Sequence, residues 1–102
     1  MTDRIATTDA ETQHINNLLL QLFTALVKVT LNDGTEIIGM PLAEKTFHHP
    51  GISAHATITR IDGLKIEVDL LEVVTVENAF LEHRSAFVKA GLLDLKADPK
   101  VH

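Results

Sequence analysis

The side chains best suited to catalysis or metal binding lie close together in the sequence, between residues 44 and 55. Three histidines, His48, His49 and His55, share this stretch with Glu44 and Ser53. Imidazole and carboxylate groups bind zinc in many proteins, and a serine beside a histidine can form a nucleophilic pair. The histidine spacing matches no recognised zinc motif, however, and Ser53 lies outside a Gly-x-Ser-x-Gly turn. The pattern is more typical of a polar loop, and we predict no metal site and no cofactor.

Other catalytic arrangements have little support in the sequence. Glu67 and Asp69 fall two apart on a predicted strand and therefore share one face. Such a pair is more typical of a solvated surface or a subunit contact than of acid–base catalysis. The five glycines are isolated, so the sequence has no phosphate-binding loop, and it has no cysteine nucleophile. We predict that the protein is not an enzyme and has no catalytic residue.

The charge balance disfavours nucleic acid as a general ligand. The chain has a net charge of −5, and residues 26–77 contain four basic side chains against eight acidic ones. Nucleic-acid affinity depends on clustered Lys and Arg side chains that bind phosphates. If RNA is bound, the candidate residues are the few basic and aromatic ones of the barrel region: Lys45, Phe47, His48, His49 and Arg60. Among them Phe47, in a predicted loop, is the residue suited to stack on a base.

Length and composition indicate one domain with an ordinary core. A chain of 102 residues with 45% hydrophobic content buries roughly 60–65% of its unfolded surface. It contains no apolar run near the ~20 residues that a membrane span requires. Its first residues also lack the apolar centre of a signal peptide. We therefore expect a cytoplasmic location and no membrane contact.

A helix is predicted near the N-terminus. Thr8 to Glu11 match a capping box, in which Thr8 accepts a bond from the backbone N–H of Glu11 and Glu11 reaches back. Apolar residues then follow at helical spacing: Ile15, Leu18, Leu19, Leu22, Phe23 and Leu26. We predict a helix over residues 9–24, preceded by a disordered segment over residues 1–8.

After Leu26, β-branched residues with a period of two replace the helical pattern. Asp33-Gly34 and Asp62-Gly63 are predicted hairpin turns, and Pro41 is predicted to end the second strand because proline cannot donate to a sheet ladder. The predicted strands cover residues 27–31, 35–40, 54–61, 64–70 and 72–76, with the longest break over residues 42–53. Together with the helix they form one predicted unit over residues 9–77. A helix over residues 78–90, capped by Gly91, and a tail with Leu92–Leu95 make up residues 78–102.

The stretch from Val27 to Gly39, which reads Val-Lys-Val-Thr-Leu-Asn-Asp-Gly-Thr-Glu-Ile-Ile-Gly, resembles the Sm/LSm family. An alternating strand, an Asp-Gly turn and a glycine that permits a sharp bend carry the resemblance, which covers about residues 10–77. It implies a mainly β fold, an Sm-like (SH3-type) five-stranded bent barrel with an N-terminal helix, here with an added C-terminal helix. It also implies assembly into rings that bind RNA.

The resemblance is lost where that family contacts RNA. Family members have an Asp and a Met-Asn pair in the loop after the bent strand, whereas residues 40–49 here contain neither Asp nor Asn. Their second motif has an Arg-Gly or similar pair, and the acidic stretch Asp69–Glu72 takes its place here. No RNA-binding residue can be transferred from the family to this chain.

The last two predicted strands favour assembly of several copies. Residues 64–70 and 72–76 are rich in Val and Leu and contain no proline, so the edges of an open barrel would remain able to pair. Head-to-tail pairing of such edges closes into a ring. In the alternative, the C-terminal helix or Leu92–Leu95 covers an edge and leaves a monomer or dimer. We expect a homo-oligomeric, non-catalytic scaffold or interaction module, and the alternative is an RNA-binding Sm-like ring with atypical residues.

Overall fold

The computed structural model describes residues 5–93, which form a five-stranded antiparallel sheet, with one helix before it and one after it in the chain. In chain order the elements are α1 (Asp9–Gln21), β1 (Val27–Leu31), β2 (Glu36–Phe47), β3 (Ile52–Thr59), β4 (Lys65–Asp69), a 3-10 turn (Leu70–Glu72), β5 (Val73–Asn78) and α2 (Phe80–Lys89). The mainly β fold class with a helix at each end, predicted from the sequence, is therefore confirmed. No helix of the described part is long and apolar enough to cross a membrane.

The chain before α1 is more ordered than the sequence suggests. Thr8 Oγ1 accepts from the backbone N–H of Glu11 at 3.2 Å, as the capping box predicts. Glu11 Oε1 accepts from the Thr8 hydroxyl at 3.1 Å and from the backbone N–H of Thr7 at 3.4 Å. We expected disorder through residue 8, yet Ala6 is fully buried and its backbone pairs with Ile52 through two hydrogen bonds. Residues 1–4 of that segment lie outside the described part.

Helix α1 buries the predicted apolar stripe but ends three residues earlier than expected. The helix stops at Gln21 because the chain must turn within a few residues to begin β1 at Val27. Phe23 consequently leaves the helical face and is 85% exposed, so its placement on the buried stripe was wrong. The residues of the stripe that are buried are Ile15, Leu18, Leu22 and Leu26.

The sheet has the order β4-β3-β2-β1-β5, and β2 joins its two halves. The first part of β2 pairs with β1, from Glu36 to Gly39, and the rest pairs with β3, from Met40 to Phe47. A Cβ atom on Gly39 would lie 2.2 Å from the backbone oxygen of Thr59, so only glycine allows β2 and β3 to approach this closely. The glycine predicted to permit a sharp bend therefore lies where β2 changes partners.

The second strand is longer than predicted, and the predicted break over residues 42–53 is wrong. Strand β2 runs through Pro41 to Phe47, and β3 begins at Ile52. Pro41 is tolerated because it lies beyond Gly39, the last β2 residue paired with β1, where β2 has a single strand neighbour. The connection shrinks to residues 48–51, which include a cis peptide bond at Pro50.

Both Asp-Gly turns have the same local structure, which confirms the prediction from the sequence. Gly34 and Gly63 adopt φ values of 89° and 84°, which side-chain-bearing residues rarely adopt. The aspartate before each glycine accepts a bond from the backbone N–H two residues on, Asp33 from Thr35 at 2.9 Å and Asp62 from Leu64 at 3.0 Å. The turns fix the register of their hairpins and place both pairs of strands on one apolar core.

Helix α2 is predicted at residues 78–90 and observed at Phe80–Lys89. Gly91, at a φ of 78°, reverses the chain, and the backbone N–H groups of Leu92 and Leu93 donate to the carbonyl of Phe87. Phe87 is 1% exposed, whereas Leu81 on the same helix is 86% exposed. Leu92 and Leu93 are half-buried, and the rest of the predicted Leu92–Leu95 tail lies outside the described residues.

The substitution Gly39→Ala tests whether the close approach of β2 and β3 at the bend requires glycine. The added methyl group must displace the Thr59 carbonyl or the Ile58 side chain, so we expect a loss of about 1–3 kcal/mol in the free energy of unfolding. Urea unfolding measures this loss. The exposed helical exchange Ser85→Ala is the control, with an expected change below about 0.5 kcal/mol. Equal stabilities of Gly39→Ala and the wild type would contradict this account of the bend.

Candidate functional site

The distal end of the β2–β3 hairpin, residues 45–53 and here called the hairpin tip, holds most of the predicted site residues. The last strand pair joins Phe47 to Ile52, and the backbone N–H of His48 donates to the carbonyl of Gly51 at 2.7 Å. Gly51 is required here because a Cβ atom would overlap the carbonyl of Ala6. The tip is therefore held by the segment before α1 as well as by its own hairpin.

Four of the five candidate RNA-binding residues come together at the hairpin tip. Lys45 Nζ lies 5.1 Å from the centre of the Phe47 ring and also donates to Asn16 Oδ1 on α1 at 3.2 Å. Phe47 is 75% exposed, and His48 and His49 follow it directly. Phe47 belongs to the end of β2 rather than to a loop, so the expected loop position was wrong although the ring is exposed.

The fifth candidate residue, Arg60, lies apart from the other four. It follows the opposite end of β3, six residues beyond the position that pairs with Lys45, which corresponds to roughly 20 Å along a strand. Its guanidinium forms an ion pair with Asp62 at 3.3 Å. The structure therefore does not unite the predicted set into one surface.

Ser53 and His48 form the closest serine–histidine contact at the tip. His48 Nε2 lies 2.8 Å from Ser53 Oγ, and Ser53 is 3% exposed. Ser53 is thus a buried residue whose hydroxyl is hydrogen-bonded to the imidazole. The geometry fits a buried polar group satisfied by a hydrogen bond rather than an activated nucleophile.

His55 lies in a polar row that crosses three strands. In the sheet register it faces Glu44 on β2 and Asp69 on β4, and its Nε2 lies 3.5 Å from Glu44 Oε2. The sequence suggests that Glu44 lies near His55. It gives no sign that Asp69 lies there too, because the position of Asp69 depends on how β3 pairs with β4. Among residues 5–93, no three His, Asp or Glu side chains are grouped so that they could hold a metal ion.

Two charged groups of the first hairpin have shifted pKa values. Glu36 and Glu77 flank Lys28 at 3.5 Å and 3.4 Å and raise its pKa, with the attraction of Glu36 as the largest cause. The pKa of Asp33 is lowered, chiefly by the hydrogen bond from the backbone N–H of Thr35. In both cases the neighbouring groups stabilise the charged form of a side chain on the surface.

A second surface, here called the barrel groove, was not predicted from the sequence. It is an open groove of about 760 Å³ between the first half of β2 and β4. Apolar side chains form much of its lining, and acidic ones form most of the remainder: Leu31, Ile37, Ile38, Ile61, Ile66 and Val68, with Glu36, Glu67, Asp69 and Glu72. Arg60 and His55 also reach it. The groove lies where β2 leaves β3, and its lining brings together residues of β2 and β4 that are distant in the sequence.

One solved structure is similar to this chain in fold. The crystal structure of XC5848 from Xanthomonas campestris, described as adopting a novel variant of the Sm-like motif, superposes with a TM-score of 0.59 at 16% sequence identity. The match covers 74% of this chain and 92% of that one. Identity this low shows the fold alone, and on that basis the chain has an Sm-like fold, as the resemblance in the sequence implies. No family model and no curated protein matches the chain.

A double-mutant cycle on His48 and Ser53 tests whether the pair is structural. Ser53→Ala removes the bond, and His48→Ala leaves a buried hydroxyl without its partner. We expect the two substitutions to be coupled by about 0.5–1.5 kcal/mol in the free energy of unfolding, the usual net contribution of a hydrogen bond. Denaturant unfolding of the wild type, both single variants and the double variant gives this value. Additive effects would show that the pair contributes nothing to stability.

Proposed function

We propose that the protein is a non-catalytic Sm-like barrel that forms homo-oligomers and acts as a scaffold or interaction module. The observation that carries the proposal is the presence of two edges in the five-stranded sheet. Within residues 5–93, β4 has β3 as its one strand neighbour, and β5 has β1. Strand edges present backbone donors and acceptors that a second copy can complete.

The two edges differ in how they are protected. On β5, the His14 ring of α1 bonds the carbonyl of Val73 at 2.8 Å, so α1 covers the start of this strand. Val74, the next residue, is 52% exposed. On β4, acidic residues alternate with Ile66 and Val68. Pairing of β4 with β5 of another copy is a heterologous contact, which is the kind that closes into rings.

The non-catalytic part of the proposal is supported by the contacts of the residues that could act in catalysis, because these residues already have partners within the protein. The Ser53 hydroxyl is buried against His48, and His55 lies beside Glu44. Such contacts stabilise a hairpin and need no substrate to explain them. We therefore propose that the protein acts by binding other chains at the edges of its sheet and at its grooves.

The mass of the native protein tests the assembly. We expect a mass several times that of one chain, and we expect Val74→Lys to reduce it because a charged residue on an exposed edge opposes strand pairing. Leu81→Lys, which changes an equally apolar but more exposed residue on α2, is the matched control and should leave the mass unchanged. Native mass spectrometry measures all three. A monomeric wild type would refute the assembly.

RNA binding at the hairpin tip is the second candidate function, and one observation favours it. The exposed Phe47 ring lies beside Lys45, with two histidines next in the chain, which combines a stacking surface with a cation. Proteins that bind single-stranded nucleic acid use this combination. The net charge of −5 and the distance of Arg60 from the tip oppose it.

Binding of a fluorescent RNA pool of mixed sequence tests this second candidate. If the tip binds RNA, binding is measurable at low salt and weakens steeply as the salt concentration increases. The substitution Phe47→Ala should then make the binding free energy about 1–3 kcal/mol less favourable. Phe23→Ala, which removes a ring of similar exposure after α1, is the control and should retain full affinity. The absence of binding at low salt would exclude the RNA-binding ring.

A further inference from the structure

We propose that the barrel groove binds a short extended peptide of a partner protein in which apolar and cationic side chains alternate. This inference rests on the protein being an interaction module. The peptide would occupy the β4 edge that β5 of another copy would occupy in a ring, so peptide binding and ring closure compete for this edge.

The shape of the groove suits a peptide. Its volume of about 760 Å³ lies within the range of specific ligand sites, and it is an open groove rather than an enclosed cavity. Its apolar lining includes Ile38 on β2 and Ile66 on β4, which are half-buried, whereas the lining residues Ile37 and Val68 are buried in the core. Ile61, at the end near the β3–β4 turn, is 48% exposed. Binding of apolar side chains here would remove this surface from water, which is favourable.

The charge of the groove selects a cationic partner. Four carboxylates line it, and one guanidinium does. Three of these charges already have partners. Glu36 lies 3.5 Å from Lys28, and Arg60 lies 3.3 Å from Asp62. Asp69 accepts from the backbone N–H of Leu71 at 2.9 Å. The ion pairs found within residues 5–93 include neither Glu67 nor Glu72. These two carboxylates, one on β4 and one at the end of the 3-10 turn, attract Lys or Arg and repel RNA and acidic segments.

The free edge of β4 within residues 5–93 is the reason to expect an extended peptide in which apolar and cationic side chains alternate. Four consecutive residues of β4, Ile66 to Asp69, line the groove. Neighbouring residues of a strand point to opposite faces, so such a run indicates that the groove includes the edge of β4. A peptide that pairs with this edge adds one strand to the sheet, and its alternate side chains then face the apolar lining and the acidic rim.

Three labelled peptides test the inference by fluorescence anisotropy with the full chain. The first is three Val-Lys repeats, and the comparisons are three Val-Glu repeats and three Ser-Lys repeats. We expect saturable binding of the Val-Lys peptide and at least about tenfold weaker binding of the other two, because each lacks one of the two complementary features. No saturable binding of the Val-Lys peptide would overturn the inference. Equal binding of the Ser-Lys peptide would also overturn it, since that result indicates charge attraction alone.

Substitutions in the groove locate the binding. The double variant Glu67→Gln/Glu72→Gln and the single variant Ile61→Ser should each weaken binding of the Val-Lys peptide by about tenfold. The controls on the exposed surface of α2 are Glu82→Gln, which removes one carboxylate, and Leu81→Ser, which removes one aliphatic side chain, and both should leave binding unchanged. Equal losses in the groove variants and the α2 variants would show that the peptide binds elsewhere.

Native masses of the same samples separate this inference from the proposed assembly. An oligomer that does not bind the peptide rejects the groove inference and retains the assembly. A monomer that binds the Val-Lys peptide rejects the assembly and retains the groove inference. If the wild type binds no peptide while Glu67→Gln/Glu72→Gln changes the mass of the free protein, a second copy occupies the groove and the inference is wrong.

Discussion

The close approach of β2 to β3 at Gly39 is the constraint on which the rest of the structure depends. The backbone oxygen of Thr59 and the Ile58 side chain lie where any side chain at position 39 would begin, so the two strands approach this closely only with glycine there. Up to this residue β2 pairs with β1, and beyond it β2 pairs with β3. One strand thereby serves both halves of the sheet, which can pack their apolar faces against each other and against α1. A five-stranded sheet folds into an Sm-like barrel in this way without a second sheet.

The same bend creates the surfaces that are available for binding. Where β2 leaves β3, the barrel groove opens, with an apolar lining and acidic residues around it. Where β2 continues with β3, the pair extends to the hairpin tip, which carries Phe47 and Lys45. The two surfaces lie at different places in the fold and differ in charge. The histidines and Ser53 contribute to the hairpin itself, through the bond between His48 and Ser53 and the row that includes His55.

The parts of the fold that local chemistry determines could be predicted from the sequence, and the parts that depend on distant pairing could not. The Thr8 cap and the two Asp-Gly turns were predicted because their hydrogen bonds join residues only two or three positions apart. Pro41 was misread because its cost depends on how many neighbours β2 has at that point. The exposure of Phe23 follows from the early end of α1. The row of Glu44, His55 and Asp69 follows from the registers of two strand pairs, and the groove follows from the bend.

The central claim is that this barrel works through the edges of its sheet, and hydrogen exchange of backbone amides tests it most directly. The exchange of amides in β4 and β5 is measured by mass spectrometry in dilute and in concentrated protein. The account predicts that both strands exchange more slowly in the concentrated sample, because edge amides become hydrogen-bonded between copies, while the hairpin tip is unaffected. Exchange in β4 and β5 that does not depend on concentration, in a protein that nevertheless assembles, would contradict it.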